Sequence, residues 1–198
     1  FMDMAKSRGY KVELIPEDVS PGLALPSSWE DYLALLSKKD RHELRRKLRR
    51  LERQDSYSWY SVNGAASLEG TLTDFFNLMR DSRQDKAMFL TSQRERFFKQ
   101  MVDKLACANV VKLFFMEISG ERVASALCFD FGNVRYLYNS GFNPDYSSLS
   151  VGLLLKAMCI RQAIEEGMTY FDFLRGDEPY KYDLGAKDVP LFALVVQR

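Results

Sequence analysis

Residues 110–142 read VVKLFFMEI, SGER, VASALCFDF, GN and VRYLYNSGF in succession. Three runs rich in β-branched and aromatic residues are separated only by Ser-Gly and Gly-Asn, the dipeptides of tight turns. Such short connections join antiparallel neighbours, so the stretch predicts a three-strand meander. Residues 143–174 narrow the choice further. The loop NPDYSSLS (143–150) leads into an amphipathic helix, VGLLLKAMCIRQAIEEG (151–167), with Gly167 at its C′ position, and then into a strand, TYFDFL (169–174). A crossover helix and strand attached to a meander predict an α/β (α+β) fold with a mixed, mostly antiparallel sheet flanked by helices. In such sheets ligands collect where strand ends meet helix N-termini.

Upstream, YKVELIPE (10–17) reads as a short strand and SPGLALPSS (20–28) as a Pro/Ser-rich connector. Ser27 or Ser28 caps a helix, WEDYLALLSKK, in which Trp29, Leu33 and Leu36 recur at helical spacing. A second helix, RHELRRKLRRLERQD, precedes the alternating strand SYSWYSVN. Two more helices come next, SLEGTLTDFFNLMRDSR and TSQRERFFKQMVDKLACAN, the latter capped by Thr91 or Ser92. LFALVVQ near the end reads as a last strand.

The 28 Lys and Arg nearly cancel the 27 Asp and Glu, so no overall field draws the chain to DNA or a membrane. One histidine, His42, read as a surface residue, and the lack of a Cys-x-x-Cys pair speak against a zinc site or a Ser-His-Asp hydrolase; no metal is expected. Cys107, Cys128 and Cys159 sit among apolar neighbours and read as small buried hydrophobes of a reducing, cytoplasmic compartment. No segment approaches the roughly 20 apolar residues that span a bilayer; VGLLLKAMCI is broken by Lys156.

The closing stretch YFDFLRGDEPYKYDLGAK, with the helix RHELRRKLRRLE upstream and the order meander, loop, helix, strand, resembles the GNAT acyltransferase core. Within it the pattern resembles the CelD/BcsL-type proteins of cellulose and polysaccharide biosynthesis, relatives of the FemAB aminoacyltransferases. The resemblance covers Trp29 to the end, and the pattern from Asp172 to Lys181 is its most specific part. It implies a GNAT-like domain over residues 27–198. Residues 1–26 would be a strand and connector ending an upstream domain, and proteins of this branch often contain two GNAT-like units. It further implies acyl transfer from acetyl-CoA or another acyl-CoA to an amine or hydroxyl of a sugar or polysaccharide precursor. The alternatives are a tRNA-dependent, FemAB-like aminoacyltransferase and a degenerate GNAT binding module. One departure is plain: where the family's donor loop is glycine-rich, this chain has DYSSLSVG, with Gly152 alone. Ser148 and Ser150, with Ser147, could supply hydroxyls, and the free amides at Val151 and Gly152 could receive an anion.

Asp172 stands mid-strand between Phe171 and Phe173, placed either as a desolvated general base or as a structural carboxylate tied to Arg175, Arg135 or a backbone turn. Glu178 and Asp177 are alternative bases or ligands for an amino-sugar cation; an exposed acidic turn is the competing reading. Tyr180 could protonate a departing thiolate and Lys181 could hold an oxyanion or phosphate, against packing and solvation. Arg175 and Gly176 complete the acceptor side, Gly176 supplying an unusual backbone shape. Arg45, with Arg41 and Arg49, forms one basic side of the arginine helix and Arg46, Arg50 and Arg53 another, for phosphate or for solvent, with Leu44, Leu48 and Leu51 as the buried stripe. The strand end at Asn139, Ser140 and Gly141 resembles the GNAT contact to the acyl carbonyl.

Overall fold

The structure is a computed structural model and describes residues 1–63 and 65–198. The elements run α1 (Met2–Ser7), β1 (Lys11–Val19), β2 (Gly22–Ala24), α2 (Trp29–Leu35), α3 (Lys38–Leu51), β3 (Tyr57–Val62), α4 (Ala65–Ser82), α5 (Gln84–Phe89) and α6 (Ser92–Ala106). Then come β4 (Val111–Ile118), β5 (Glu121–Phe131), β6 (Val134–Phe142), a 3-10 turn (Pro144–Leu149), α7 (Val151–Glu165), β7 (Tyr170–Asp172), α8 (Pro179–Asp183) and β8 (Pro190–Gln197).

A six-stranded sheet has the order β2-β7-β6-β5-β4-β3, and only β6 and β7 run parallel. The meander supplies its centre. Along β4 and β5 alternate side chains enter two different cores, as a period of two requires. Phe114, Met116, Ala124, Ala126 and Cys128 face α2, α3 and α7, while Leu113, Phe115 and Leu127 face α4 and α6. Helices thus cover both faces, and α7 is buried along most of its length. Leu44 and Leu51 hold α3 to the first core, with Leu48 packed against it.

Five expectations change. The connector at 20–28 contains β2, which pairs with β7 through Gly22 and Asp172, Leu23 and Phe171, Ala24 and Tyr170. The charged stretch after β7 contains α8, and α5 comes directly after α4. β7 stops at Asp172 because Leu174 turns to a φ of +59°. Cys107 is exposed where α6 ends, while Cys128 and Cys159 are buried. Residues 11–24 are hydrogen-bonded to the rest: β1 and β8 form a two-stranded ribbon, and β2 edges the main sheet.

Candidate active site

β6 and β7 pair only from Val134 opposite Tyr170 to Tyr136 opposite Asp172. Beyond that point β6 continues to Phe142 while β7 turns away, so the two strands splay. An extra residue in β6, Tyr138, bulges between the pairs Leu127–Asn139 and Cys128–Leu137, bending the strand next to the gap. The freed carbonyl of Ser140 accepts a hydrogen bond from Lys86 Nζ of α5.

At the head of α7, between the end of β6 and α8, lies a cavity of about 250 Å3. Phe142 of β6, Ser147 and Ser150 of the loop, Val151, Gly152 and Lys156 of α7, and Tyr180 of α8 line it. Gly152 is required for this closeness: a Cβ there would lie 2.9 Å from the Phe142 ring. Ser150 caps α7 with a left-handed φ of +59°. Arg50 Nη2 donates to Ser150 Oγ at 3.3 Å, and Arg50 Nε is buried without a partner. The first amides of α7 and the hydroxyls of Ser147 and Ser150 border the cavity, and the Arg50 guanidinium reaches Ser150, a set of donors that suits a phosphate. A larger cleft of about 510 Å3, lined by Asp74, Asp81, Glu117 and Glu121, lies at the β4–β5 turn and holds no residue of the closing motif.

Part of the motif forms a clamp on its own turn. Asp172 does not line the cavity: its Oδ1 accepts from Ser20 Oγ at 2.9 Å and from the Leu174 amide at 2.7 Å. Lys181 is 1% exposed, and its Nζ donates to the carbonyls of Leu174 (2.9 Å), Arg175 (3.1 Å) and Gly176 (2.8 Å). All three of its hydrogens are used, so none remains for a substrate oxyanion. Acid and lysine together fix the turn at 172–176. Arg175 pairs with Asp18 and Glu17 of β1, and the Gly176 amide, at φ +108°, donates to the Val19 carbonyl. Asp177 is exposed.

Glu178 and Tyr180 make up the rest of the motif. Glu178 Oε2 sits 2.8 Å from Lys181 Nζ as a charge contact. Burial acts to raise the carboxyl, but Lys181 outweighs it and holds Glu178 below its usual range. Burial drives the Tyr180 phenol well above its ordinary value, so it stays protonated. Two lysines join them that the sequence did not single out for this site. Burial, then the charge on Arg83, brings Lys86 down to about 8; burial, then the charge on Lys86, brings Lys156 to about 8.

The remaining residues named from sequence lie elsewhere. Arg45 pairs with Glu30 on the surface, and Arg50 takes the place beside α7. Ser148 is exposed in the 3-10 turn outside the cavity lining. The Ser140 amide is spent on Asn139 Oδ1 at 2.8 Å. Gly141 serves packing: a Cβ would lie 2.3 Å from the backbone of Leu78 and Met79 in α4. The arginine helix, the loop before α7 and the Tyr180 region were legible; which arginine turns inward was not, because arginines occupy more than one side of α3.

The sequence matches the family described as Acetyltransferase (GNAT) domain over residues 38–182. No curated protein matches it significantly. Among solved structures the fold is similar to FemX, with a TM-score of 0.72 at 12% identity, covering 94% of this chain and 65% of that one. It is also similar to L-PGS from Bacillus licheniformis, at 0.62 and 14%, covering 100% and 64%. A GCN5-related N-acetyltransferase from Kribbella flavida gives 0.51 and 12%, covering 94% and 60%. At these identities the likeness shows the fold alone, and the chain spans less than two thirds of each of these proteins. The family match covers most of the sequence, and the splayed sheet and crossover helix stand in place: the chain belongs to the acetyltransferase (GNAT) domain family.

Proposed function

We propose that the domain moves an acyl group from a donor seated at the head of α7 to an amine or hydroxyl of a sugar or cell-envelope polysaccharide precursor, by direct attack. The observation that carries this reading is the cavity between the end of β6, the head of α7 and α8, with Tyr180 on its wall and Glu178 two residues before it in sequence. Its apolar sides, Phe142, Leu153 and Tyr180, suit the narrow arm of an acyl-CoA. Arg50, Ser150 and the first amides of α7 suit the donor's phosphates. Glu178, ionised at neutral pH, takes the acceptor's proton, and Tyr180 gives one to the leaving atom. Asp172 and Lys181 hold the turn that presents both. The polysaccharide acceptor rests on the resemblance of the closing motif alone.

A second reading, transfer of an aminoacyl group from tRNA, is favoured by the loop before α7, which lacks the glycines expected around a coenzyme A pyrophosphate, and by the FemX-like fold. Thermal shift with coenzyme A, acetyl-CoA and aminoacyl-tRNA separates the two. Stabilisation by acetyl-CoA alone supports the first, and by tRNA alone the second. No shift with any of them overturns the transferase reading and leaves a binding module. Glu178→Gln and Tyr180→Phe are each expected to cut turnover about 100-fold while binding the donor normally.

A further inference from the structure

The apolar run of α7 is interrupted once in its first ten residues, by Lys156. The side chain is 7% exposed and lines the donor cavity. Its one hydrogen bond goes to the Gly152 carbonyl of its own helix at 3.0 Å, and Nζ lies 4.7 Å from the centroid of the Tyr180 ring. An ammonium has three hydrogens, so two are left at the cavity wall. No carboxylate forms an ion pair with it among the described residues. Lys181 shows what a structural buried lysine looks like in this chain: three carbonyls on its three hydrogens and a carboxylate beside it. Lys156 has one carbonyl and, among the described residues, no carboxylate paired with it.

A buried cation left without a counter-charge is costly to the fold, and such groups mark binding and reaction sites. The charged and titratable groups that act on it are Lys86 from α5, Cys128 from β5, Cys159 from α7 and Glu178 at the N-cap of α8, with the Tyr180 ring 4.7 Å away. The carboxylate among them, Glu178, is already held by Lys181. The cavity wall therefore carries a buried ammonium facing the place where the donor would lie.

We propose that Lys156 receives the negative charge that appears on the donor's leaving atom, the sulfur of a thioester or the ribose oxygen of an aminoacyl ester. This rests on the transferase reading and deepens it. As transfer proceeds, the acceptor nitrogen or oxygen bonds to the acyl carbon and the bond from that carbon to the leaving atom breaks. The electron pair stays on the leaving atom beside the ammonium. Tyr180 supplies that atom's proton, Glu178 removes the acceptor's, and solvent returns the proton from Glu178 to Tyr180.

The test is calorimetric binding at pH 7 of two probe pairs to the wild type, Lys156→Met and Lys156→Arg. One pair is coenzyme A and desulfo-coenzyme A; the other is AMP and 2′,3′-dideoxy-AMP, which stand for the ends of the two donor types. In each pair the second probe lacks the leaving atom. For one pair, the probe that keeps the atom should bind Lys156→Met about tenfold more weakly than wild type. Its partner should bind both equally, and Lys156→Arg should recover to within about threefold. Equal weakening of both members, or no weakening, overturns the inference while leaving the donor site standing. Failure of every probe to bind the wild type overturns the inference and the transferase reading together. Lys156→Gln repeats the comparison if Lys156→Met fails to fold.

Discussion

Asp172 and Lys181 act on the same turn with opposite chemistry. The carboxylate takes the Leu174 amide, and the ammonium takes the carbonyls of residues 174, 175 and 176. Between them Leu174 is held at a φ of +59°, a backbone shape that costs a branched side chain about 1–3 kcal/mol. Lys181→Met would leave three part-buried carbonyls and Glu178 without their cation, so urea denaturation should show a loss of about 2–4 kcal/mol. Asp172→Asn keeps the accepting oxygen; it should cost under about 1 kcal/mol and keep acyl transfer within about threefold. Loss of turnover in that variant with its stability intact would return the catalytic base to Asp172. Lys156 gives a pH signature. Its value is 10.5 unperturbed and about 8 in the fold, so between those limits the unfolded chain binds more protons. Stability therefore gains as pH rises from 8 towards 10, by about 1–3 kcal/mol from this group, and melting curves of Lys156→Met should lack that gain.

At the scale of elements, two close approaches set the site. α4 lies against β6 at Gly141, and α7 against the end of β6 at Gly152. In the first the obstacle to a side chain is backbone, which cannot yield; in the second it is the Phe142 ring, which can rotate into the cavity. Gly141→Ala should thus cost about 3 kcal/mol or more in denaturant. Gly152→Ala should cost less stability but weaken donor binding, read by the thermal shift with acetyl-CoA or tRNA. The same scale explains what the sequence disclosed. Residues 110–142 announce their strands because paired turn residues bracket long apolar runs, and Gly167 marks the end of α7. β2 spans three residues between Pro21 and Pro26, too few to show alternation, and exists because β7 offers it an edge. α8 spans five residues led by Pro179 in a charged stretch and has no apolar period to read. Lys156 was visible as the break in an apolar run, but the direction it faces is decided by how α7 packs on the sheet. Lys86 has no mark in the sequence, because its partner, the Ser140 carbonyl, is 54 positions away.

At the scale of the molecule, the first and last segments of the chain are bound to each other and to the closing motif. β1 pairs with β8 from Lys11 opposite Gln197 to Val19 opposite Pro190, and Gly22 bridges Lys187. Arg175 and Gly176 reach back to Glu17, Asp18 and Val19, and Ser20 donates to Asp172. The turn that presents Glu178 and Tyr180 is therefore held by residues more than a hundred positions away in sequence. Removal of residues 1–24 would free one edge of β7, strip β8 of its partner and release the outer half of the motif clamp. Each loss uncovers unpaired backbone and strand edge. The truncated chain should melt about 10 °C or more below the full one, since about 1 kcal/mol shifts a domain of this size by 2–4 °C. It should also elute as aggregate in size-exclusion chromatography, through the exposed edges. A truncated chain that stays monomeric and melts within about 3 °C of the full one would show that the amino-terminal strands do not hold the motif, and the positioning argued for Glu178 and Tyr180 would have to come from α7 and α8 alone.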